Sequence, residues 1–364
     1  MSRDELPALR GCAYLNAGTN GPVPRAAHEA MLEELELQAV RPRIGPDAFG
    51  RMLAVRNAAR AAFAGALGVP AEQVALTSST TQGMGLVLAG LAWRAGDEVV
   101  TTDAEHTGLL GPLDMLTRRF GVEVRIVPAG RVADAIRPTT RMVAISHVLW
   151  TDGRILPLDE IAGAAHAAGA TVLVDGAQSA GNIPLDVVAT GADYYAVPGQ
   201  KWLLGPQGSG ALWVRPELND LLAPALAGYL SFRDAHVGEL KDGAARFDAG
   251  TIDPVTLAGA AAACAWVEAQ SGGRAAWLEQ AAVNARRARE RLAVIDGLRL
   301  LPGDSGLIAV ELAGVDDPSP VVERLAARGV LVRTIPGTAR IRLSVGAWTT
   351  DDDVEAFAAG LREG

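Results

Sequence analysis

Lysine is almost absent from this chain of 364 residues. Of its 33 Lys and Arg residues only Lys201 and Lys241 are lysines. Arginine serves wherever a solvated positive charge is enough, but its pKa is too high for it to shed a proton and attack a carbonyl. A partly desolvated lysine can do both. Cysteine is equally scarce: Cys12 and Cys264 form neither a metal-ligand spacing nor a disulfide framework, so no metal site is expected and a reducing cytoplasm is. Basic charge is in deficit as well, with a net charge of -9, which argues against nucleic acid or an anionic membrane as standing partners. A local nest for one phosphorylated ligand is still allowed. No apolar run approaches the length of a membrane span, and the N-terminus, Met1-Ser-Arg-Asp-Glu-Leu-Pro7, lacks a signal pattern. There is no internal repeat and no low-complexity linker. What remains is a soluble chain with 49% hydrophobic and 21% charged residues, long enough for two domains.

Lys201 lies in a telling place. The stretch from Asp193 to Val214 reads as a short apolar strand, a Pro-Gly turn, the lysine, a Gly-rich loop and a second strand. A lysine held between two buried strands is a candidate Schiff-base nucleophile; the plainer alternative is a loop lysine snorkelling to solvent. Upstream, apolar strands alternate with helices. Val74–Thr77, Glu98–Thr102, Val122–Val127, Met142–His147 and Thr171–Asp175 are the predicted strands, each followed by helical or turn sequence, after two helices between Pro24 and Leu67. Near-continuous apolar strands alternating with helices predict an α/β fold with a mostly parallel sheet covered on both faces. Cys12 to Pro22 reads as loop. After Asp253 come two long helices, and then a tail of short strands and helices that reads as a small C-terminal α+β unit.

Parallel sheets collect ligands beyond the carboxyl ends of their strands, where helix N-termini offer free amides. Ser79, Thr80 and Thr81 follow one strand and open a helix, a phosphate-binding shape that also suits an ordinary N-cap. Asp175 closes a buried strand and needs a cation or a donor, with the Gln178 amide three residues on. His106 follows another strand, placed to stack or to move protons, though a lone histidine is more often structural. A phosphate nest, a carboxylate for a pyridinium N–H, an amide near a phenolate and a unique lysine together match the needs of pyridoxal 5′-phosphate (PLP).

With Tyr14-Leu-Asn-Ala-Gly-Thr-Asn-Gly-Pro22, Thr77-Ser-Ser-Thr-Thr-Gln-Gly83, Glu105-His106, Ser146-His147, Asp175-Gly-Ala-Gln178, Gly199-Gln-Lys201, Ala249-Gly-Thr251 and Arg342-Leu-Ser-Val-Gly-Ala-Trp348 in this order, the chain resembles the class V aminotransferase family. That family comprises fold-type I PLP enzymes and includes cysteine desulfurases, cystine C–S lyases and isopenicillin-N-epimerase-like proteins. The resemblance implies an N-terminal segment (1–23) serving the active site, a PLP-binding large domain (24–253) and a small domain (254–364). It implies that Lys201 forms the Schiff base and moves the Cα proton, with His106 stacked on the ring. Asp175 would pair with the pyridine nitrogen and Gln178 with the ring oxygen, while Ser79, Thr80, Thr81 and Gln200 hold the phosphate. Gln200 stands where many relatives have histidine. Thr251 would reach the neighbouring subunit's phosphate, implying a homodimer with shared sites. Arg342 would clamp the carboxylate of an α-amino acid, with Asn16 and Trp150 on the substrate side.

The departures from the family pattern narrow the activity. No cysteine follows Cys264, so the loop thiol that desulfurases use to take sulfur as a persulfide has no counterpart. Trp150 stands where desulfurases place an asparagine, and Pro198 where a serine is often found. Trp150, Trp202 and Trp348 suggest a bulkier or more apolar substrate face, with plain packing as the alternative, favoured for Trp202. The expectation is a β-eliminating C–S lyase, with transamination or epimerisation as alternatives. A dinucleotide-binding α/β protein fits poorly, because no Gly-x-Gly-x-x-Gly follows the first strand.

Overall fold

The computed structural model describes residues 3–234, 237–248 and 250–362. Ala249 of the Ala249-Gly-Thr251 motif lies outside the described residues, as do the outermost two residues at each end.

Seven strands form the main sheet: β2 (Val74–Thr77), β3 (Glu98–Thr102), β4 (Glu123–Val127), β5 (Thr140–Ser146), β6 (Thr171–Asp175), β7 (Tyr194–Pro198) and β8 (Gly210–Val214). β1 is a two-residue strand near the N-terminus (Ala13–Tyr14). The sheet order is β2-β8-β7-β6-β5-β3-β4, and only β8 runs antiparallel to its neighbours. Successive side chains of a strand point to opposite faces, and both faces here are apolar. Val143, Ile145, Val172, Val174, Tyr195 and Val197 join one core cluster, while Met142, Ala144, Leu173, Tyr194 and Ala196 join the other. Helices α1 (Arg25–Val40), α2 (Pro46–Leu67), α3 (Thr80–Gly90), α4 (Thr107–Phe120), α5 (Val132–Ala135), α6 (Leu158–Ala167) and α7 (Pro254–Glu268) accompany the sheet. The first cluster draws on α2, α6 and α7 through Phe63, Ile161 and Leu257, the second on α3 and α4 through Met84 and Leu113. The mostly parallel sheet covered on both faces is therefore present. α7 lies against α1 and α2, so the first helix after Asp253 packs with the sheet layer.

Helix ends follow local chemistry. Pro46 opens α2, and Gly68 closes it in the left-handed conformation that glycine adopts freely. Asp253 caps α7 by accepting from the amides of Val255 and Thr256, with Pro254 at the first position, where no N–H is needed.

The remaining chain folds as α8 (Gly273–Ala293), β9 (Leu298–Leu300), β10 (Leu307–Leu312), α9 (Ser319–Ala327), β11 (Val330–Leu331), β12 (Arg333–Thr334), β13 (Arg340–Ser344) and α10 (Asp351–Arg362). Four of these strands make an antiparallel sheet in the order β12-β13-β10-β9. β1 pairs in parallel with β11. The loop expected over Cys12 to Pro22 thus contains a short strand, which fastens the N-terminal segment to β11 of the C-terminal unit in a separate two-stranded sheet.

Candidate active site

The carboxyl ends of five parallel strands converge on a cleft of about 270 Å³ lined by Ser79, Thr80, Thr81, His106, Trp150, Asp175, Gln178, Gln200, Lys201, Arg333 and Arg342, among others. β2 delivers the serine and threonines, β3 His106, β5 Ser146 and Trp150, β6 Asp175 and Gln178, and β7 Lys201. β13 of the small sheet contributes Arg342.

Lys201 opens a turn in which its carbonyl accepts from the Leu204 amide at 3.1 Å. Leu204 is the one non-glycine described residue with positive φ, at 62°. Strain of this kind persists only where the surroundings enforce it, and Leu204 is fully buried. The N-terminal segment presses on the same turn: the Gly21 amide donates to the Gln200 carbonyl at 2.8 Å, and a Cβ at Gly21 would lie 2.0 Å from the Lys201 carbonyl oxygen. Burial brings the Lys201 pKa down to about 8; Asp175 opposes this shift, whereas Arg342 and Arg333 reinforce it. Asp175 accepts from the Ala177 amide at 2.8 Å. Burial raises its pKa, while Lys201 and that amide pull it down.

Gln178 is held at both ends of its amide. Its Oε1 accepts from the Trp202 indole at 2.9 Å and its Nε2 donates to the Gly18 carbonyl at 2.9 Å. An indole N–H can only donate and a carbonyl can only accept, so the orientation of the amide is fixed and one Nε2 hydrogen remains for the cleft. Ser79 caps α3, its Oγ accepting from the Gln82 amide at 3.1 Å, while Gln82 Oε1 accepts from the Ser78 amide at 2.7 Å. The Ser79 hydroxyl is thus engaged in capping. The amides of Thr80 and Thr81, in the first turn, have no protein acceptor among the described residues. His106 caps α4, its Nδ1 accepting from the Gly108 amide at 3.0 Å, which leaves the proton of the neutral ring on Nε2. Partial burial, then Lys201, Arg333 and Arg342, lower its pKa.

Arg342 is fully buried. Its Nη1 donates to the Trp150 carbonyl at 2.9 Å, but Nε and Nη2 have no hydrogen-bond partner among the described residues, and burial, then Arg333, brings its pKa down to about 9. Gly18 is what lets the guanidinium sit there, since a Cβ at that position would approach Arg342 Nη2 to 2.8 Å. Arg333 faces Arg342 across the β12–β13 pair, and residues directly opposite on one face have close Cβ atoms. Like charges so placed repel, and the only carboxylate in the lining is Asp175, so the cleft is cationic and suited to anions. Sequence reasoning did not single out Arg333. Only the strand register brings it beside Arg342, and the signal available, Val330-Leu-Val-Arg333, is an ordinary strand end. Trp150 ties these groups together: its ring meets His106 edge-on at 5.0 Å and lies 5.8 Å from the Arg333 guanidinium. Behind the wall, Glu105 accepts from Thr102 Oγ1 and from the amide and hydroxyl of Ser146. Burial pushes its pKa to about 7.

Two expected site residues lie elsewhere. Asn16 does not line the cleft; its Oδ1 accepts from Thr19 Oγ1 at 2.9 Å, and that hydroxyl accepts in turn from Arg333 Nη1 at 3.4 Å. Thr251 is exposed and borders a separate groove with Ile44, Phe49 and Met52. The suggestion that Trp348 faces the substrate is corrected, whereas Trp202 packs as favoured: both are buried in an aromatic cluster with Trp277, because apolar area is worth more packed than wetted. Neither cysteine is in the lining; Cys264 is buried in α7 and borders another groove.

The donor set fits PLP. Among the described residues seven buried side-chain polar atoms lack a hydrogen-bond partner, and four of them belong to this cleft: Arg342 Nε and Nη2, Trp150 Nε1 and Gln200 Oε1. Buried polar atoms are normally satisfied, so their concentration here marks a site shaped for a polar, anionic ligand. Comparison with known proteins agrees. A variant of C-DES with glycine covalently linked to its PLP cofactor superposes with a TM-score of 0.94 at 27% identity, covering 99% of both chains. The cystine C–S lyase C-DES in complex with its reaction product cysteine persulfide gives 0.92 at 28%, covering 98% of both chains. A probable cysteine desulfurase of Methanothermobacter thermautotrophicus is 35% identical over 69% of this chain and 65% of its own length. The isopenicillin N epimerase of Streptomyces clavuligerus is 29% identical over 95% of this chain and 93% of its own. The family profile described as aminotransferase class-V matches residues 13–357, and with the lysine, the carboxylate and the anion-binding groups gathered in one cleft, this chain belongs to that family of PLP-dependent enzymes.

Proposed function

We propose that this enzyme is a β-eliminating C–S lyase of cysteine- or cystine-type amino acids, working as a cytoplasmic homodimer. The observation that carries this reading is one cleft that holds a lysine of lowered pKa and two guanidiniums, and no thiol in its lining. A persulfide relay needs such a thiol; direct elimination does not. The family's desulfurase and C–S lyase members support the substrate class.

Bound PLP supplies an aldehyde for amine exchange and a ring that withdraws electrons from Cα. The residues supply the rest. Lys201, neutral in a useful fraction near pH 8, is the nucleophile and then the base that takes the Cα proton as the Cβ–S bond breaks and sulfur leaves with the electron pair. Asp175 keeps a proton on the ring nitrogen, and the free Nε2 hydrogen of Gln178 serves the ring oxygen. The amides and hydroxyls of Thr80 and Thr81 hold the phosphate, with Gln200 donating once its amide is turned. His106 covers the ring face. Arg342 offers Nε and Nη2 as a fork to the α-carboxylate, and Arg333 a second cation for the distal carboxylate of a disulfide substrate. In this reading residues 24–253 bind the cofactor, and residues 254–364 with segment 1–23 carry the substrate clamp. Thr251 belongs to the partner's site, a placement supported by its exposure beside Ile44, which is 84% exposed.

The test is spectral and chemical. The purified protein should show a cofactor band that borohydride removes, and release pyruvate from cystine. A protein that PLP leaves unchanged sinks the cofactor assignment; amino transfer or racemisation without pyruvate sinks the lyase assignment.

A further inference from the structure

Behind the cleft, His147, Tyr195 and Ser179 form a buried chain that none of the roles above uses, and the direction of every bond in it can be fixed. Ser179 Oγ lies 3.0 Å from the Gly176 carbonyl. A carbonyl only accepts, so the hydroxyl proton points there. Tyr195 Oη, 2.6 Å from Ser179 Oγ, must then donate to it. With that proton committed, Oη accepts from His147 Nδ1 at 2.7 Å, so the imidazole carries its proton on Nδ1. Burial pushes the His147 pKa down to about 4 and that of Tyr195 up, so each member is neutral.

The chain ends at the residue next to Asp175. The His147 amide donates to the Asp175 carbonyl at 3.1 Å, and the Gly176 amide to the Ala196 carbonyl at 2.8 Å. A Cβ on Gly176 would lie 2.3 Å from Tyr195 Cε1, so the tyrosine ring sits directly against the backbone of the turn. Buried polar side chains carry a desolvation cost unless paired, and the chain these three form ends on the Gly176 carbonyl. Gly176 starts the turn presenting both the Asp175 carboxylate and the Gln178 amide.

We infer that His147, Tyr195 and Ser179 are positioning residues that fix the Gly176 peptide, and through it the angle at which Asp175 and Gln178 meet the cofactor ring. The inference rests on the proposed assignment of Asp175 to the ring nitrogen. The experiment compares holoenzymes of Tyr195→Phe, Ser179→Ala, Asp175→Asn and a control, Thr101→Val, which removes another buried hydroxyl bond, 2.7 Å to the Ala144 carbonyl. PLP dissociation constants and the ratio of the visible cofactor bands at fixed pH are read beside melting temperature.

Tyr195→Phe and Ser179→Ala should each weaken PLP binding, by about tenfold for Tyr195→Phe, and shift the bands in the direction that Asp175→Asn shifts them. Thr101→Val should lose stability with neither change. Wild-type PLP affinity and bands in a folded Tyr195→Phe or Ser179→Ala protein would overturn the inference, as would an equal spectral shift in Thr101→Val. If Asp175→Asn itself leaves the bands unchanged, the assignment of Asp175 fails, and this inference with it.

Discussion

Replacing Arg342 by methionine should raise the stability of the cofactor-free protein while abolishing useful turnover. Arg342 is fully buried with Nε and Nη2 unpartnered, and an unmade bond of a buried donor costs about 1–3 kcal/mol. Methionine removes both donors and the charge, at the expense of one bond to the Trp150 carbonyl. A net gain of about 1–3 kcal/mol is expected, a rise in Tm of roughly 1–4 °C for a protein of this size. With substrate the same two donors become the clamp. Hydrogen bonds to charged groups contribute about 1.5–3 kcal/mol each, and every 1.36 kcal/mol is a factor of ten in rate. Loss of the pair should therefore lower kcat/KM by roughly 10²–10⁴. Arg342→Lys keeps the charge but not the fork and should lose about 10². Arg340 is the internal control, two residues away on the same strand, half-exposed and bonded to Glu311 at 3.2 Å; Arg340→Lys should change kcat/KM less than threefold or so. The assays are calorimetry of the cofactor-free proteins and steady-state pyruvate release from cystine. A lower Tm in Arg342→Met together with kcat/KM within tenfold of wild type would refute the reasoning, and a silent Arg342→Lys beside a damaged Arg340→Lys would show the strand register to be misread.

Three further outcomes follow from the same cleft. Lys201→Ala and Lys201→Arg should both lose turnover and the borohydride-sensitive band while remaining folded, since a guanidinium is no nucleophile; turnover by Lys201→Arg without added amine would contradict this. The rate at which cofactor-free protein takes up PLP should rise with pH through a midpoint near pH 8 and level off about a unit above it, because only the neutral amine attacks and burial has lowered its pKa to about 8; a rate still climbing toward pH 10 would place the lysine in solvent. Arg333→Gln should raise the KM for cystine several-fold more than that for S-methylcysteine, because only cystine has a distal carboxylate, and equal effects on both would remove Arg333 from that role.

Much of this protein is legible in its sequence because the signals are local. Apolar runs such as Thr171–Asp175 mark strands buried on both faces, and Pro, Gly and Asp mark helix ends. Functional side chains at strand termini then fall on one edge of a parallel sheet, so Thr80, His106, Asp175, Gln178 and Lys201 share a cleft by topology alone. Tertiary structure decided what depends on register between distant segments. Arg333 faces Arg342 because β12 pairs with β13, and Asn16 stands one residue removed from the cleft because Thr19 intervenes. Trp202 is buried where Trp348 packs beside it, and Gln178 is oriented by an indole and a carbonyl from two remote loops. The lowered pKa of Lys201 belongs to that second group. A sequence names the ionisable groups, but only the fold removes their water and sets which charges they face.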